Sequence, residues 1–325
     1  MRPVTMQVLR HSEQTLKRAL ISKNPALVSQ YEKLDAREQQ LMKEAFQPTS
    51  DLYGPIILQS QSDWIISHPE APQDFEQFFS NPYRKIPSPE KHSIYLLAIG
   101  IYWKYDGFSL VLLWLCCQGW FGPLVYSSGQ IFMALADILE SSALVFPSGI
   151  LPSFCGCFFL SAGVGIFSFA RYGSNFYSSH YKGTVKKLHK KSSNDYAIFD
   201  NYFIPEITSV LLLRSCKTLS HEIGHIFGLR HCQWLTCLMQ GSNHLEEADR
   251  RPLNLCPICL RKLQCAIGFN IAERYKALVR WIDDVNTPRA TPKPSCEDNV
   301  HLPKPVEAFQ DWKEWIMKCL AVLQK

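Results

Sequence analysis

The chain begins without an apolar leader. MRPVTMQVLRHSEQTLKRAL has neither a hydrophobic run nor a small-residue cleavage signature, which argues against a secretory route. A basic stripe is lacking too: the formal net charge is +5, acids and bases interleave, and nucleic acid is not an expected partner. The one dense basic run, Lys182 to Lys191 with Lys186, Lys187 and Lys190, reads as a solvated loop. No internal repeat occurs, which excludes solenoid and propeller architectures.

Charge itself is scarce in the middle of the chain. From Gly107 to Ala136, and again from Ser141 to Ala170, there is no Asp, Glu, Lys or Arg. About 20 apolar residues span a bilayer, so these runs require a membrane test. Gln118, Gly119, Gly122 and Pro123 interrupt the stretch 108–125, and Pro147 and Pro152 break the second. The favoured reading is therefore buried strands of an α/β core, with spanning helices as the alternative.

The 325 residues, 46% hydrophobic and 19% charged, suffice for one large domain or two moderate ones and exclude disorder as the main state. Residues 12–47 carry apolar positions at helical spacing and read as two surface helices broken at Asn24-Pro25. Strands are expected at 53–58, 93–99 and 167–172, and helices at 69–79, from about Pro205 to Gly228, at 271–282 and at 306–323. The last helix sets Phe309, Trp312, Trp315, Ile316, Cys319 and Leu320 on one face, the pattern of an element docked on a core. The expected organisation is an N-terminal helical extension and linker (1–90), a catalytic domain (91–285, with 96–162 atypical and charge-poor), a Pro-rich linker (286–305) and a C-terminal helix (306–325).

The chemistry concentrates in HEIGHIFGLRH, residues 221–231. His221 and His225 lie four apart on a helix, so both imidazoles project from one face and can bind one ion. Glu222 stands where its carboxylate can reach a water on that ion. Gly228 lets the backbone leave the helix, and His231 can return as a third ligand. Three imidazoles leave a tetrahedral zinc with one open position, the mark of a catalytic site. The full pattern arises by chance in about one in a hundred thousand such sequences.

Of twelve cysteines, six fall between positions 216 and 265. Cys232, Cys237, Cys256 and Cys259 form C-x4-C and C-x2-C pairs, which can close a second, structural zinc site with no open position. Thiolate ligands imply a reducing, intracellular compartment, cytoplasm or nucleus. Cys216 and Cys265 read as buried thiols. Glu246, Glu247 and Asp249 read as exposed loop charges, and His244 as a surface or supporting residue.

The stretch from His221 to Leu263, with Cys232 directly after the third histidine, Met239 after the second cysteine and a distal Cys256-Pro-Ile-Cys259, resembles the archaemetzincins, a metzincin-type family of zinc metallopeptidases. The resemblance implies that Met239 is the Met-turn residue beneath the zinc ligands. It implies an α/β fold with a twisted mixed sheet, an active-site helix and a loop stapled by the four-cysteine zinc. It also implies a peptide substrate and aminopeptidase-like action. The resemblance covers the N-terminal third and the chain from Gly163 onward, and fails over about 96–162. Two other readings therefore stand beside a metallopeptidase with two zinc ions: a zinc-binding protein without catalysis, and a membrane-associated variant.

Overall fold

The computed structural model describes residues 7–87, 94–95, 125–126, 156–159, 164–167, 172, 208–283 and 306–324. The basic run 182–191, the Pro-rich stretch 286–305 and most of 96–162 lie outside the described residues.

The N-terminal third opens on strand β1 (Gln7–Leu9), which pairs antiparallel with β2 (Ile56–Leu58), Val8 opposite Ile57. Between them come three helices rather than two: α1 (Glu13–Ile21), α2 (Pro25–Glu32) and α3 (Ala36–Lys43), the last running into a 3-10 turn at Glu44–Phe46. The extra break has a capping cause, because the Asp35 carboxylate accepts from the Arg37 and Glu38 amides and starts α3 afresh. Nor do these helices merely coat the surface. Leu16, Leu20, Leu27, Tyr31, Leu41 and Met42 are all buried in the main core.

The helix expected over 69–79 is shorter than its apolar pattern. α4 (Trp64–Ser67) precedes it, and α5 (Phe75–Phe79) begins only where Asp74 and Gln77 form a capping box. Residues 68–74 are left non-helical and lie against the loop that follows the zinc-motif helix.

Four short strands follow. β3 (Ile94–Tyr95) and β4 (Val125–Tyr126) pair in parallel, and β5 (Gly156–Phe159) and β6 (Val164–Phe167) pair antiparallel. Of the strand expected over 167–172, Phe167 ends β6 and Tyr172 is in a 3-10 turn, while 168–171 lie outside the described residues. The described pieces of the charge-poor stretch are strands, and no described helix is long and apolar enough to cross a membrane.

The long helix α6 (Ser209–Ile226) is capped by Thr208, whose hydroxyl accepts from the Leu211 amide. Leu211, Leu212, Cys216, Leu219 and Ile223 form its buried stripe, and the β5–β6 pair lies beside it. Then come α7 (Leu245–Arg250), α8 (Pro257–Ile267), α9 (Ile271–Asp283) and α10 (Val306–Gln324). α10 packs against α9, α3 and α6. Phe309, Trp312, Ile316, Cys319 and Leu320 are buried, and the Trp315 indole N–H donates to the Leu52 carbonyl at 2.8 Å. The last helix is therefore docked, as its pattern indicates.

Buried cations tie the N-terminal third to the rest. Arg261 on α8 donates to the carbonyls of Leu20 and Leu27 and lies over the Phe75 ring, and burial lowers its guanidinium to about 10. Lys262 donates to the Gln73 carbonyl and side-chain oxygen. Such fully buried donors persist only where acceptors meet them.

Candidate metal centres

α6 carries His221 and His225 one turn apart, so their rings meet edge to face with centroids 4.6 Å apart. The helix ends at Phe227. Gly228 follows with φ +88°, and a Cβ there would stand 3.0 Å from Arg84 Cβ and 3.2 Å from its Cα, so a glycine is required on two counts. Beyond it the chain returns His231 to the other two histidines, at centroid separations of 5.4 and 4.9 Å. One ring nitrogen from each of the three falls within 4.8 Å of the others.

The tautomers follow from the acceptors. His221 Nδ1 donates to the Leu238 carbonyl at 2.9 Å, and His225 Nδ1 to the Leu229 carbonyl at 2.6 Å. A carbonyl can only accept, so both protons are on Nδ1 and both Nε2 atoms carry lone pairs; the Arg251 guanidinium nitrogen 3.2 Å from His221 Nδ1 then lies beside it as a charge and does not donate to it. Those two Nε2 atoms are 3.0 Å apart. Burial, reinforced by neighbouring cations, holds His221 well below the usual histidine range and lowers His225 to about 4, so neither lone pair is covered by a second proton. Two lone pairs facing at that distance repel unless a cation lies between them. The donor set therefore fits zinc on the chemistry of its own nitrogens.

Glu222 adjoins His221 on α6 and is partly buried. Burial raises its carboxyl to about 7, against a lowering influence from the Arg251 guanidinium. Met239 is fully buried and packs on the zinc helix: its Sδ lies 2.6 Å from where a Cβ on Gly224 would stand. The Met239 carbonyl accepts from the Cys232 amide at 2.7 Å, which ties this turn to the residue after the third histidine.

The four cysteines form a second centre. Cys232, Cys237, Cys256 and Cys259 are free of disulfides, at most 4% exposed, and place their sulfurs within 4.8 Å of one another. Cys237 Sγ accepts from the Met239 and Cys256 amides at 3.4 and 3.3 Å. Cys256 occupies the N-cap position of α8, where the helix dipole favours a thiolate. Burial pushes Cys237 and Cys256 well above the usual thiol range, whereas hydrogen bonds from the neighbouring sulfurs hold Cys232 well below it, so one negative charge fits the bare cluster and further thiolates require a bound cation. Of the two remaining cysteines of the cluster in sequence, Cys216 is buried as expected, whereas Cys265 is only partly so.

The acidic residues near the motif are not free loop charges. They lie on α7, capped by His244, whose Nδ1 accepts from the Glu247 amide. Glu247 is buried and accepts from the Trp64 and Asn243 amides, both at 2.7 Å. Asp249 holds Arg214 bidentately at 2.9 and 2.7 Å, and its carbonyl accepts from Lys217. Only Glu246 is exposed and without such an engagement shown.

The motif does not reveal several neighbours. Arg251 is buried beside His221 and donates to the Gln240 carbonyl. Glu70, 161 residues before His231, accepts from His231 Nδ1 at 2.9 Å and from the Trp64 indole at 2.8 Å. Burial works to raise its carboxyl, but these bonds hold it below the usual range. A cavity of about 220 Å³ opens among Ile56, Ile57, Trp64, Gly241 and Arg251. It meets the histidine centre through His231 alone.

The family model described as Peptidase family M54 matches residues 166–265, which span both centres. The chain belongs to the archaemetzincin family and is a metallopeptidase of that family. It is 63% identical to archaemetzincin-2 of Homo sapiens and 58% identical to archaemetzincin-2 of Mus musculus, each match covering 98% of this chain and the whole of the relative. Archaemetzincin-1 of Homo sapiens is 31% identical over 83% of this chain and 62% of its own length. The match to the human archaemetzincin-2 runs over 360 residues against 325 here, so the relative has residues without a counterpart in this chain. No solved structure matches it.

Proposed function

We propose that the chain hydrolyses peptide bonds with two zinc ions, one held by His221, His225 and His231 and one held by Cys232, Cys237, Cys256 and Cys259. The single observation that carries this is the facing pair of histidine lone pairs 3.0 Å apart, on the helix that also bears Glu222. Zinc in such a site lowers the pKa of a bound water to about 7 and polarises a carbonyl. Glu222, raised to about 7, has the proton affinity to take the proton of an attacking water and to pass it to the leaving amine. Gly228 and Met239 position the ligands, the one by releasing the chain from α6, the other by filling the space beneath it.

The finer reading of the fold is a metzincin-like α/β domain with a twisted mixed sheet, of which the described residues hold three separate strand pairs. The division at 1–90, 91–285, 286–305 and 306–325 goes with it, as does an intracellular location. Aminopeptidase-like action on short peptides is the expected specificity. Glu247 and Asp249 are already engaged, so an amino terminus would have to be met by another acceptor.

Hydrolysis of a peptide panel by the zinc-loaded protein, with Glu222→Ala beside it, tests the function. Loss of about 10²-fold or more in the variant, with zinc content unchanged, is expected. Equal inertness of both proteins, each holding two zinc ions, would sink catalysis and leave a zinc-binding protein.

A further inference from the structure

The three histidines are oriented in two different ways. His221 and His225 give their Nδ1 protons to neutral backbone carbonyls from residues at most 17 positions away. His231 gives its proton to a carboxylate, Glu70 Oε1 at 2.9 Å, that lies 161 residues earlier in the chain. His231 also most needs outside support, because it sits past the helix end, in the loop released by Gly228.

We propose that Glu70 is the positioning residue of the third metal ligand and that the segment 64–73 is an integral part of the metal centre. This rests on the reading that the three histidines hold zinc. By accepting from Nδ1, the carboxylate fixes the tautomer whose Nε2 lone pair is free for the metal, and its charge makes that imidazole a stronger ligand. Glu70 is itself held in place, since the Trp64 indole donates to the same oxygen at 2.8 Å. The Trp64 ring stands edge-on to His231, at 4.9 Å and 67°.

The neighbouring residues brace the loop on both sides of the ligand. Gln73 accepts from the Arg230 amide at 3.1 Å and donates to the Gly228 carbonyl at 3.1 Å. Gln233 donates to the Glu70 carbonyl, and Trp234 to the Gln73 carbonyl. Gly228, Arg230, His231, Gln233 and Trp234 are thus each paired with Glu70 or Gln73. A motif search confined to HExxHxxGxxH misses this half of the support.

The test compares wild type with Glu70→Gln, Glu70→Ala and His231→Ala. Zinc is titrated against a chromogenic chelator, zinc per chain is counted by elemental mass spectrometry, and visible spectra are taken with cobalt(II) in place of zinc. Glutamine keeps an oxygen for Trp64 and His231 but removes the charge. Expected is about a 10-fold loss of affinity for Glu70→Gln and up to about 100-fold for Glu70→Ala, at one of two sites. The cysteine site, read from its thiolate-to-cobalt bands, should keep its affinity, while the ligand-field bands of the histidine site shift. Histidine-site affinity in Glu70→Ala within twofold of wild type would overturn the proposal. Equal weakening of both sites would also overturn it, by reducing Glu70 to a part of the scaffold. Wild type that holds one ion, none of it lost in His231→Ala, would remove the three-histidine reading and this inference together.

Discussion

Met239 and Gly224 are in contact only because residue 224 has no side chain: the thioether sulfur stands 2.6 Å from the place a Cβ would take. Gly224 is the residue just before His225, so the turn that carries Met239 presses directly on the zinc-motif helix. A side chain at 224 would displace either the methionine or the second histidine.

Gly224→Ala therefore sets two effects against each other. Alanine favours the helix by about 0.5–1 kcal/mol, and overpacking a fully buried contact costs about 1–3 kcal/mol. A net loss of stability is expected, with a fall in histidine-site zinc affinity. Met239→Ala empties the contact at a cost of about 2–5 kcal/mol. The double variant should be less damaged than the two losses added together, and additivity in urea melts would show that the two residues do not share one space.

How much of this was legible beforehand depends on where each partner lies in the chain. His221, Glu222, His225 and His231 are readable because a helix repeats every 3.6 residues, and Gly228 because only glycine accepts its φ without cost. The four cysteines are readable by spacing. Glu70, Trp64 and Gln73 are not, because their bonds span more than 150 residues and no local pattern encodes them. Asp35 hides the break before α3 inside an unbroken apolar period. Glu247 and Asp249 look like loop charges because nothing local reveals that they meet Trp64 and Arg214.

The two metal sites should fail in a fixed order. Cys232 follows His231 directly and is bonded through its amide to the Met239 turn, so the cysteine site holds the loop that presents the third histidine. Cys259→Ser should bring zinc per chain from two to below one and lower the melting temperature, whereas His225→Ala should leave one ion in place. A Cys259→Ser protein that keeps one ion and full peptidase activity would contradict this hierarchy.

Acid sensitivity should be traceable in part to Asp63. Burial works against its ionisation, but bonds from Arg250 and from the Gln59 and Ser60 amides prevail and hold the carboxyl below its ordinary value of 3.8. A depressed carboxylate contributes stability above its unfolded pKa and loses it as pH falls through the folded one. Asp63→Asn should therefore cost about 2 kcal/mol at pH 7, and the difference from wild type should shrink below about pH 4. Denaturant melts from pH 7 down to 3 measure it. A difference that stays constant over that range would exclude the ion pair as its source.

Truncation of the α10 face should be felt across the molecule. Ile316 is fully buried where α10 meets the rest of the core, and Ile316→Ala is expected to cost about 2–5 kcal/mol. The loss would appear as a lower urea midpoint with little change in the peptidase's apparent affinity for substrate.

The docked last helix also has a consequence for synthesis. Phe309, Ile316, Cys319 and Leu323 complete a core that also holds residues from α1, α3 and α9. Until α10 has left the ribosome, that core has an open apolar side, even though the histidines and cysteines of both candidate centres have already emerged. A stop after Asp283 would release a protein that has the three histidines and the four cysteines but no lid on its interior.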